Sequence, residues 1–313
     1  MRVLVTGATG FLGGRCLPLL ADSGFGVVGT GRRASARPDG FAFAALDLSD
    51  AATFDTLPQV DAVVHCAALS SPWGARADFE RANVLATENL LAWAERTGVS
   101  RFVHISTPAL YFERQDQFGV TEDKTLGPPI NLYAETKVRA ETLVAASPLT
   151  TTILRPRAIY GPGDTALLPR LEAAIAKGPL PLLNGGAAQT NLTHVDDVCL
   201  AILAALQSDP VAGPLNIAGE ESVTLKSVVE QIAQARGLGL RWRTVPTPVV
   251  FAAARVLELG YRVLPLSGEP QFTRYSAGIF AYSLTLDTSK AAAALGWVVW
   301  ITGAASIPEV AHR

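Results

Sequence analysis

Charge is scarce in this chain. Only 17% of its 313 residues are Asp, Glu, Lys or Arg, and 28 acids against 26 bases leave a net charge of −2. A chain with so little charge and 49% apolar residues can bury enough surface to fold, which excludes a disordered segment. With no net positive charge and no long basic run there is no electrostatic footprint for nucleic acid, and none is expected as a partner. The three cysteines, Cys16, Cys66 and Cys199, lie far apart in sequence and lack C-x-x-C spacing, so they read as reduced, buried fillers rather than a zinc or redox pair. The four histidines likewise lack ligand spacing, and no metal is expected. The longest greasy stretch, Val249 to Leu264, is interrupted by Arg255, Glu258 and Arg262 and bracketed by Pro246, Pro248 and Pro265, which argues against a membrane span. Its three charges recur at helical spacing and form one narrow polar stripe. The plain reading is a helix buried between lobes or in a dimer; the other is a helix lining a lipophilic entrance or touching a membrane peripherally. The chain opens directly on a strand, so no signal peptide is expected, and a cytoplasmic location follows.

What is present is an α/β rhythm. Apolar runs at Val3 to Thr6, Val27 to Gly29, Phe41 to Ala44, Ala62 to His65, Phe102 to Ile105 and Thr152 to Leu154 alternate with helical patterns such as Ala82 to Arg96 and Tyr133 to Ala146. Such alternation predicts a Rossmann-type doubly wound parallel sheet with helices on both faces. Pro18 is expected to kink the first helix. From Tyr160 to Gly186 the pattern reads as loops, and His194 to Val198 as a strand returning to the sheet. Residues 1–158 with about 191–217 are expected to form the dinucleotide-binding domain, and about 159–190 with 218–313 a smaller C-terminal substrate lobe. In such sheets ligands bind beyond the carboxyl ends of the strands.

The first strand runs straight into Gly7-Ala8-Thr9-Gly10-Phe11-Leu12-Gly13. Gly7 permits the tight turn, Gly10 lets the backbone approach a pyrophosphate, and Gly13 lets the helix pack on the strand with its N-terminus facing the anion. Mid-chain, Tyr133 precedes Lys137 by one helical turn on a helix that Asn131 could cap. A tyrosine is a poor base at neutral pH, so a neighbouring ammonium is expected to stabilise the phenolate and lower its pKa, letting Tyr133 exchange a proton with a substrate oxygen while hydride moves to or from nicotinamide.

In this order the motifs resemble the extended short-chain dehydrogenase/reductase superfamily, also called the NAD-dependent epimerase/dehydratase family. Val103-His104-Ile105-Ser106-Thr107-Pro108-Ala109-Leu110-Tyr111 is similar to its V-x-x-S-S/T-x-x-x-Y run. That implies Thr107 as the residue bonding the reacting oxygen, with Ser106 as the fallback. The resemblance further implies cofactor contacts from Asp47-Leu48, from Ala67 and Ala68 in an H-x-A-A turn, from Asn83 in an N-V-x-G-T-x-N-L-like helix, from Tyr133 and Lys137, and from Pro156 and Ala158. Val195-Asp196-Asp197-Val198 resembles the family's returning strand. Arg157, Tyr111 and Trp73 are the substrate-facing candidates, Arg157 as a partner for a carboxylate. A homodimer through the helices Ala82 to Arg96 and Tyr133 to Ala146 is expected by analogy.

The run Val27-Val28-Gly29-Thr30-Gly31-Arg32-Arg33 places glycine where an NAD site offers an acid, then two arginines suited to a 2′-phosphate. NADP is therefore the expected cofactor, with NAD as the alternative. Thr107 is followed by Pro108-Ala109 instead of the acidic pair of a dehydratase, and Arg274 by Tyr275-Ser276-Ala277 instead of an R-P-G-D-like diphosphate run. The stretch from Thr273 to Trp297 resembles the 3β-hydroxysteroid dehydrogenase-like branch, which includes 2-alkyl-3-ketoacid reductases. Trp300-Ile301-Thr302-Gly303 departs from the usual ending. The expectation is an NADP-dependent ketone/secondary-alcohol oxidoreductase acting on a small hydrophobic substrate. The alternatives are an NAD-dependent nucleotide-sugar 4-epimerase and a non-catalytic NADPH sensor, a class that often loses the Tyr or Lys kept here.

Overall fold

Along the chain come β1 (Arg2–Thr6), α1 (Phe11–Asp22), β2 (Gly26–Gly31), β3 (Ala42–Ala45), β4 (Ala62–His65), α2 (Arg76–Phe79), α3 (Ala86–Thr97), β5 (Arg101–Ile105), β6 (Gln117–Val120), α4 (Leu132–Ala146) and β7 (Thr150–Pro156). The second half contributes β8 (Ile159–Tyr160), α5 (Leu167–Lys177), β9 (Leu180–Leu182), β10 (Gln189–Asn191), β11 (Thr193–His194), α6 (Val195–Gln207), β12 (Pro214–Ile217), β13 (Ser222–Thr224), α7 (Leu225–Ala235), β14 (Trp242–Thr244), α8 (Thr247–Val263), α9 (Arg274–Ala281), β15 (Leu284–Leu286) and α10 (Ser289–Leu295). The structure is a computed structural model and describes residues 1–36, 38–264 and 268–299; Pro265 and Trp300 to Gly303 lie outside them.

Seven strands form one parallel sheet in the order β12-β7-β5-β4-β1-β2-β3. Val3 to Val5 of β1 and Ala62 to Val64 of β4 are unbroken apolar runs because both faces of a parallel sheet are covered. Alternation then divides β1: Val3 and Val5 join the core with Cys16 and Leu17 of α1 and Val198 and Ile202 of α6, whereas Leu4 joins Leu90 and Trp93 of α3 and Phe102 of β5. The strand order reverses at β1, and the loops after β1 and β4 part there to leave a crevice. A second sheet, in the order β13-β10-β15-β6, and a β9/β14 pair stand apart from it. β6 crosses to this second sheet to pair with β15, while Ala291, Leu295 and Trp297 at the end of the described chain pack into the core of α1 and α6.

Several sequence expectations are corrected. His194 to Val198 is not a strand: β11 ends at His194, and α6 begins at Val195. His194 accepts a hydrogen bond from the Asp196 backbone N–H, and Asp196 and Asp197 occupy the first turn, where acids favour a helix N-terminus. The strand that returns to the large sheet is β12. The 160–186 stretch holds α5, whose Leu168, Leu171 and Ile175 recur on one buried face. The cysteines, distant in sequence, converge: the Cys16 and Cys199 sulfurs lie 3.2 Å apart, unbonded, between α1 and α6.

The greasy helix α8 is not buried between lobes. Only Val250, Ala254 and Glu258 of it are buried. Glu258 turns inward because the Arg274 backbone N–H and Nε each donate to its carboxylate at 2.7 Å, and this rotates the apolar side of the helix outward.

Candidate active site

The carboxyl ends of β1, β2, β4, β5 and β7 open on a cavity of about 1420 Å³, larger than the few hundred Å³ that one small ligand requires. At one end Gly7 adopts φ +66°. A Cβ on Gly13 would come within 2.4 Å of the Gly7 carbonyl oxygen, and one on Gly7 within 2.9 Å of the Ala67 nitrogen. Gly10 accordingly caps α1, and the Gly10 N–H donates to the Gly7 oxygen at 2.8 Å. Gly7, Thr9, Gly10, Phe11, Leu12 and Gly13 all line the cavity.

The facing wall is Cys66, Ala67 and Ala68, which is fixed from behind. Thr6 Oγ1 meets His65 Nδ1 at 2.8 Å and accepts from the Ala67 N–H at 3.1 Å, and His65 Nε2 meets Thr87 Oγ1 at 3.0 Å. Burial, aided by the Lys137 charge, pushes the His65 pKa down to about 3, so this ring is a neutral spacer. Asn83 does not line the cavity. It lies in a π-helical stretch between α2 and α3, a distortion common at functional sites, and clamps the wall: its Oδ1 accepts from the Leu69 N–H at 2.7 Å and its Nδ2 donates to Thr136 Oγ1 at 2.9 Å.

At the end of β2, a Cβ on Gly31 would press to 3.0 Å from the Thr9 side chain, so a side chain fits there only if Thr9 gives way, and Gly31 itself offers no acid of the NAD type. Arg32, Asp47 and Leu48 line the cavity there; Arg33 does not. Hydrogen bonds from the Ser49 backbone N–H and hydroxyl, assisted by Arg32, hold the Asp47 carboxyl below the usual carboxylate range.

At the other end Ser106, Thr107 and Tyr133 line the cavity together with Pro156 and Ala158. Asn131 caps α4 as expected, accepting from the Ala134 N–H at 2.8 Å. The Tyr133 phenol is hydrogen-bonded with Thr107, but burial outweighs that contact and pushes its pKa up to about 12. This reverses the expected effect of Lys137, whose ammonium is directed elsewhere: it donates to the Ile105 carbonyl at 2.6 Å and to His104 Nε2 at 3.0 Å, beneath the cavity floor. Burial lowers its own pKa to about 8.

None of the three substrate candidates lines the cavity. Pro156 and Ala158 point in, so the intervening Arg157 points out, where its Nε donates to Thr190 Oγ1 at 3.1 Å. Tyr111 is fully buried, and its hydroxyl donates to Asn216 Oδ1 at 3.0 Å. Trp73 packs edge-on against Tyr261 of α8. The apolar wall of the cavity comes instead from Leu167, Arg170 and Leu171 of α5, Val250 of α8, Phe272 just before α9 and Tyr275 in its first turn. Of these only Val250 was marked in the sequence, by the apolar run Val249 to Leu264 that could line a lipophilic entrance.

The described residues hold no group of three or more His, Cys, Asp or Glu placed to bind a metal. They do fit a dinucleotide: the glycine cradle tolerates no Cβ at Gly7 or Gly13, and two buried hydroxyls on the cavity wall, Thr30 Oγ1 and Ser106 Oγ, have no protein partner.

Residues 3–218 match the profile of the NAD dependent epimerase/dehydratase family. A ketoreductase of Stigmatella aurantiaca named for 4-hydroxy-2-methyl-3-oxo-4-farnesyl-3,4-dihydroquinoline-1-oxide is 32% identical, over 96% of this chain and 93% of its own. A 2-alkyl-3-oxoalkanoate reductase of Stenotrophomonas maltophilia is 31% identical over 88% of both chains. Among solved structures, UDP-glucuronic acid 4-epimerase of Bacillus cereus in complex with NAD superposes with a TM-score of 0.72 at 21% identity, covering 99% of this chain and 94% of that one, a likeness of fold.

Proposed function

This chain belongs to the NAD dependent epimerase/dehydratase family, and from that premise we propose that it reduces a ketone on an apolar substrate to the secondary alcohol, with NADPH as cofactor. The observation that carries the proposal is the placing of Thr107 and Tyr133 in one cavity between the glycine turn and the apolar wall of α5, α8 and α9. Gly7, Gly10 and Gly13 would hold the pyrophosphate, Asp47 and Leu48 the adenosine end, and Ala67, Ala68, Pro156 and Ala158 the nicotinamide end. Gly31 and Arg32 favour the 2′-phosphate of NADP over a bare ribose, because Gly31 supplies no carboxylate and the Arg32 guanidinium lines the cavity there. The bound cofactor supplies the hydride.

The residues supply the proton. With its pKa near 12, the Tyr133 phenol is neutral at physiological pH, which suits an acid that protonates the oxygen of a carbonyl as it is reduced. Thr107 anchors that phenol and can donate to the same substrate oxygen. The apolar wall agrees with the ketone substrates named for the two relatives. Steady-state oxidation of NADPH against 2-alkyl-3-ketoacids and ketosteroids, with NADH as the control, tests the reading. Tyr133→Phe should lower kcat by roughly 10²- to 10⁴-fold, the usual worth of a positioned proton donor, with NADPH affinity unchanged. A fully active Tyr133→Phe, or tightly held NAD with no net turnover, overturns the proposal, the latter in favour of a sugar-nucleotide epimerase.

A further inference from the structure

Ten large apolar side chains are exposed among the described residues, and six of them, Val249, Val256, Leu257, Leu259, Val263 and Leu264, belong to α8 or the residue after it. Val256 and Val263 are 70% and 72% exposed. At about 100° per residue, Val249, Ala252, Ala253, Val256, Leu259 and Val263 fall on one outward arc of roughly 120° that carries no charge. Isolated exposed apolar residues need no explanation, but a contiguous face of them marks an interaction surface.

What borders the arc selects the occupant. Arg255 and Arg262 lie along one flank, both exposed. Arg114 adds a third cation beside them, its guanidinium 5.1 Å from the centre of the Phe251 ring. Arg262 in turn lies over Trp73 at 5.6 Å, and Trp73 meets Tyr261 on the side of the helix away from the arc, so Arg262 is anchored at the far end of the helix. The one acid of α8, Glu258, is turned inward and held by Arg274, so the flank has no acid of its own to meet it. In an antiparallel two-fold pairing of two copies this flank meets itself and would oppose its own cations. An anionic lipid surface matches both features, a charge-free apolar arc and a row of arginines along its flank.

We propose that α8 lies in the plane of an anionic membrane surface, with Val256, Leu259 and Val263 inserted at the acyl boundary and Arg255, Arg262 and Arg114 at the headgroups. The helix does not span. Seventeen residues reach about 26 Å at 1.5 Å per residue, short of the roughly 30 Å hydrocarbon core, and no helix among the described residues is long and apolar enough to cross. Val250, on the inward side of the same helix, lines the cavity. The helix thereby stands between the membrane and the apolar part of the site, where a lipophilic molecule would enter from the bilayer.

The test is flotation of the full chain with vesicles of phosphatidylcholine containing phosphatidylglycerol, against phosphatidylcholine alone. It needs no turnover, so its failure is distinguishable from failure of the proposed reaction. Because the altered side chains are exposed, the variants keep the fold, which an unchanged thermal midpoint verifies. The paired change Arg255→Gln with Arg262→Gln should weaken binding to the anionic vesicles roughly thirtyfold, at about fivefold for each arginine. Val256→Ser with Leu259→Ser should weaken it by roughly thirtyfold or more through lost apolar insertion. Failure to float, or flotation that neither pair of changes diminishes, overturns the proposal. Loss of a dimer in Val256→Ser with Leu259→Ser, without vesicle binding by the parent, also overturns it and assigns the face to a second copy.

Discussion

Replacing Lys137 by Met exposes the cost of the ammonium buried under the site. Lys137 is 2% exposed, and burial draws its pKa from the ordinary 10.5 to about 8, with Glu141 and Cys66 offsetting only part of the effect. Because the folded value lies below the unfolded one, the unfolded chain binds more protons between about pH 8 and 10.5, and stability rises with pH across that window. The penalty is complete below about pH 8 and has vanished above 10.5. A drop from 10.5 to about 8 corresponds to about 3 kcal/mol. The hydrogen bonds to the Ile105 carbonyl and His104 survive in the neutral amine, so their loss in Lys137→Met shifts the whole curve but not its slope. Urea unfolding of both proteins at several pH values from about 7 to 10.5 gives the difference directly. Wild type should gain about 3 kcal/mol on the variant over the range. Two parallel curves would show that the amine is not desolvated as the structure has it, and the reasoning about the floor of the site would fail with it.

Three further changes probe the cofactor and substrate ends. Gly13→Ala forces a Cβ to 2.4 Å from the Gly7 oxygen and should abolish NADPH binding in a fluorescence titration, since the turn must open; near-normal affinity would refute the close packing of α1 on that turn. Arg32→Ala should raise the KM for NADPH about tenfold or more and leave that for NADH nearly unchanged, whereas Arg33→Ala, outside the cavity lining, should change neither; equal effects of the two would reject the cofactor argument. Arg170 lines the cavity at half exposure, with the Glu269 carboxylate only at 3.9 Å. Arg170→Ala should therefore raise the KM for a ketoacid by roughly tenfold, about the 1.5 kcal/mol of an exposed charged hydrogen bond, and spare a neutral ketone. Equal sensitivity of both substrates would remove Arg170 from carboxylate recognition.

The glycine turn and the sheet were legible in the sequence, and most of the apolar wall of the cavity was not, for a physical reason. A phosphate-binding turn is largely local: Gly7 is fixed as glycine by its own φ of +66° and Gly13 by the Gly7 carbonyl six residues back, and the apolar runs of β1, β4 and β5 identify themselves because both faces of the sheet are covered. The motif spacing singles out Thr107 and Tyr133, both of which line the cavity, yet it could not show where the Lys137 amine would turn, because that depends on the carbonyl of Ile105 and the ring of His104 across the helix–sheet interface. α6 was misread as a strand because four residues cannot distinguish periods of 2 and 3.6, and the decisive positions, Ile202, Ala205 and Leu206, lie beyond them. The substrate wall draws on segments a hundred residues apart, α5 and α8 with α9, and no local pattern records that meeting.

Tyr111 and Arg157 show how far a motif can mislead about direction. Both stand at positions where the family pattern suggests the site, and both are long, polar and suited to a carboxylate or hydroxyl. On β7 and the residues after it, however, the side chains alternate, and the positive φ of Ala158, +42°, turns the chain so that Pro156 and Ala158 present themselves to the cavity. Arg155 and Arg157 are left on the far side. There Arg155 makes a two-pronged pair with Glu141 and donates to the Tyr111 hydroxyl, which itself donates to Asn216 Oδ1. Asn216 Nδ2 then donates to the carbonyls of Val120 and Asp287, tying β12 of the large sheet to the ends of the strands β6 and β15 of the smaller one. A buried network of this kind is expensive to leave half-satisfied. Tyr111→Phe leaves Arg155 and Asn216 each short of a partner in a dry interior, and by the cost of such unmade bonds it should lose about 1–3 kcal/mol of unfolding free energy, with kcat near that of wild type in the folded fraction. A large fall in kcat at unchanged stability would return Tyr111 to the substrate site and would mean that the alternation along β7 has been assigned to the wrong faces.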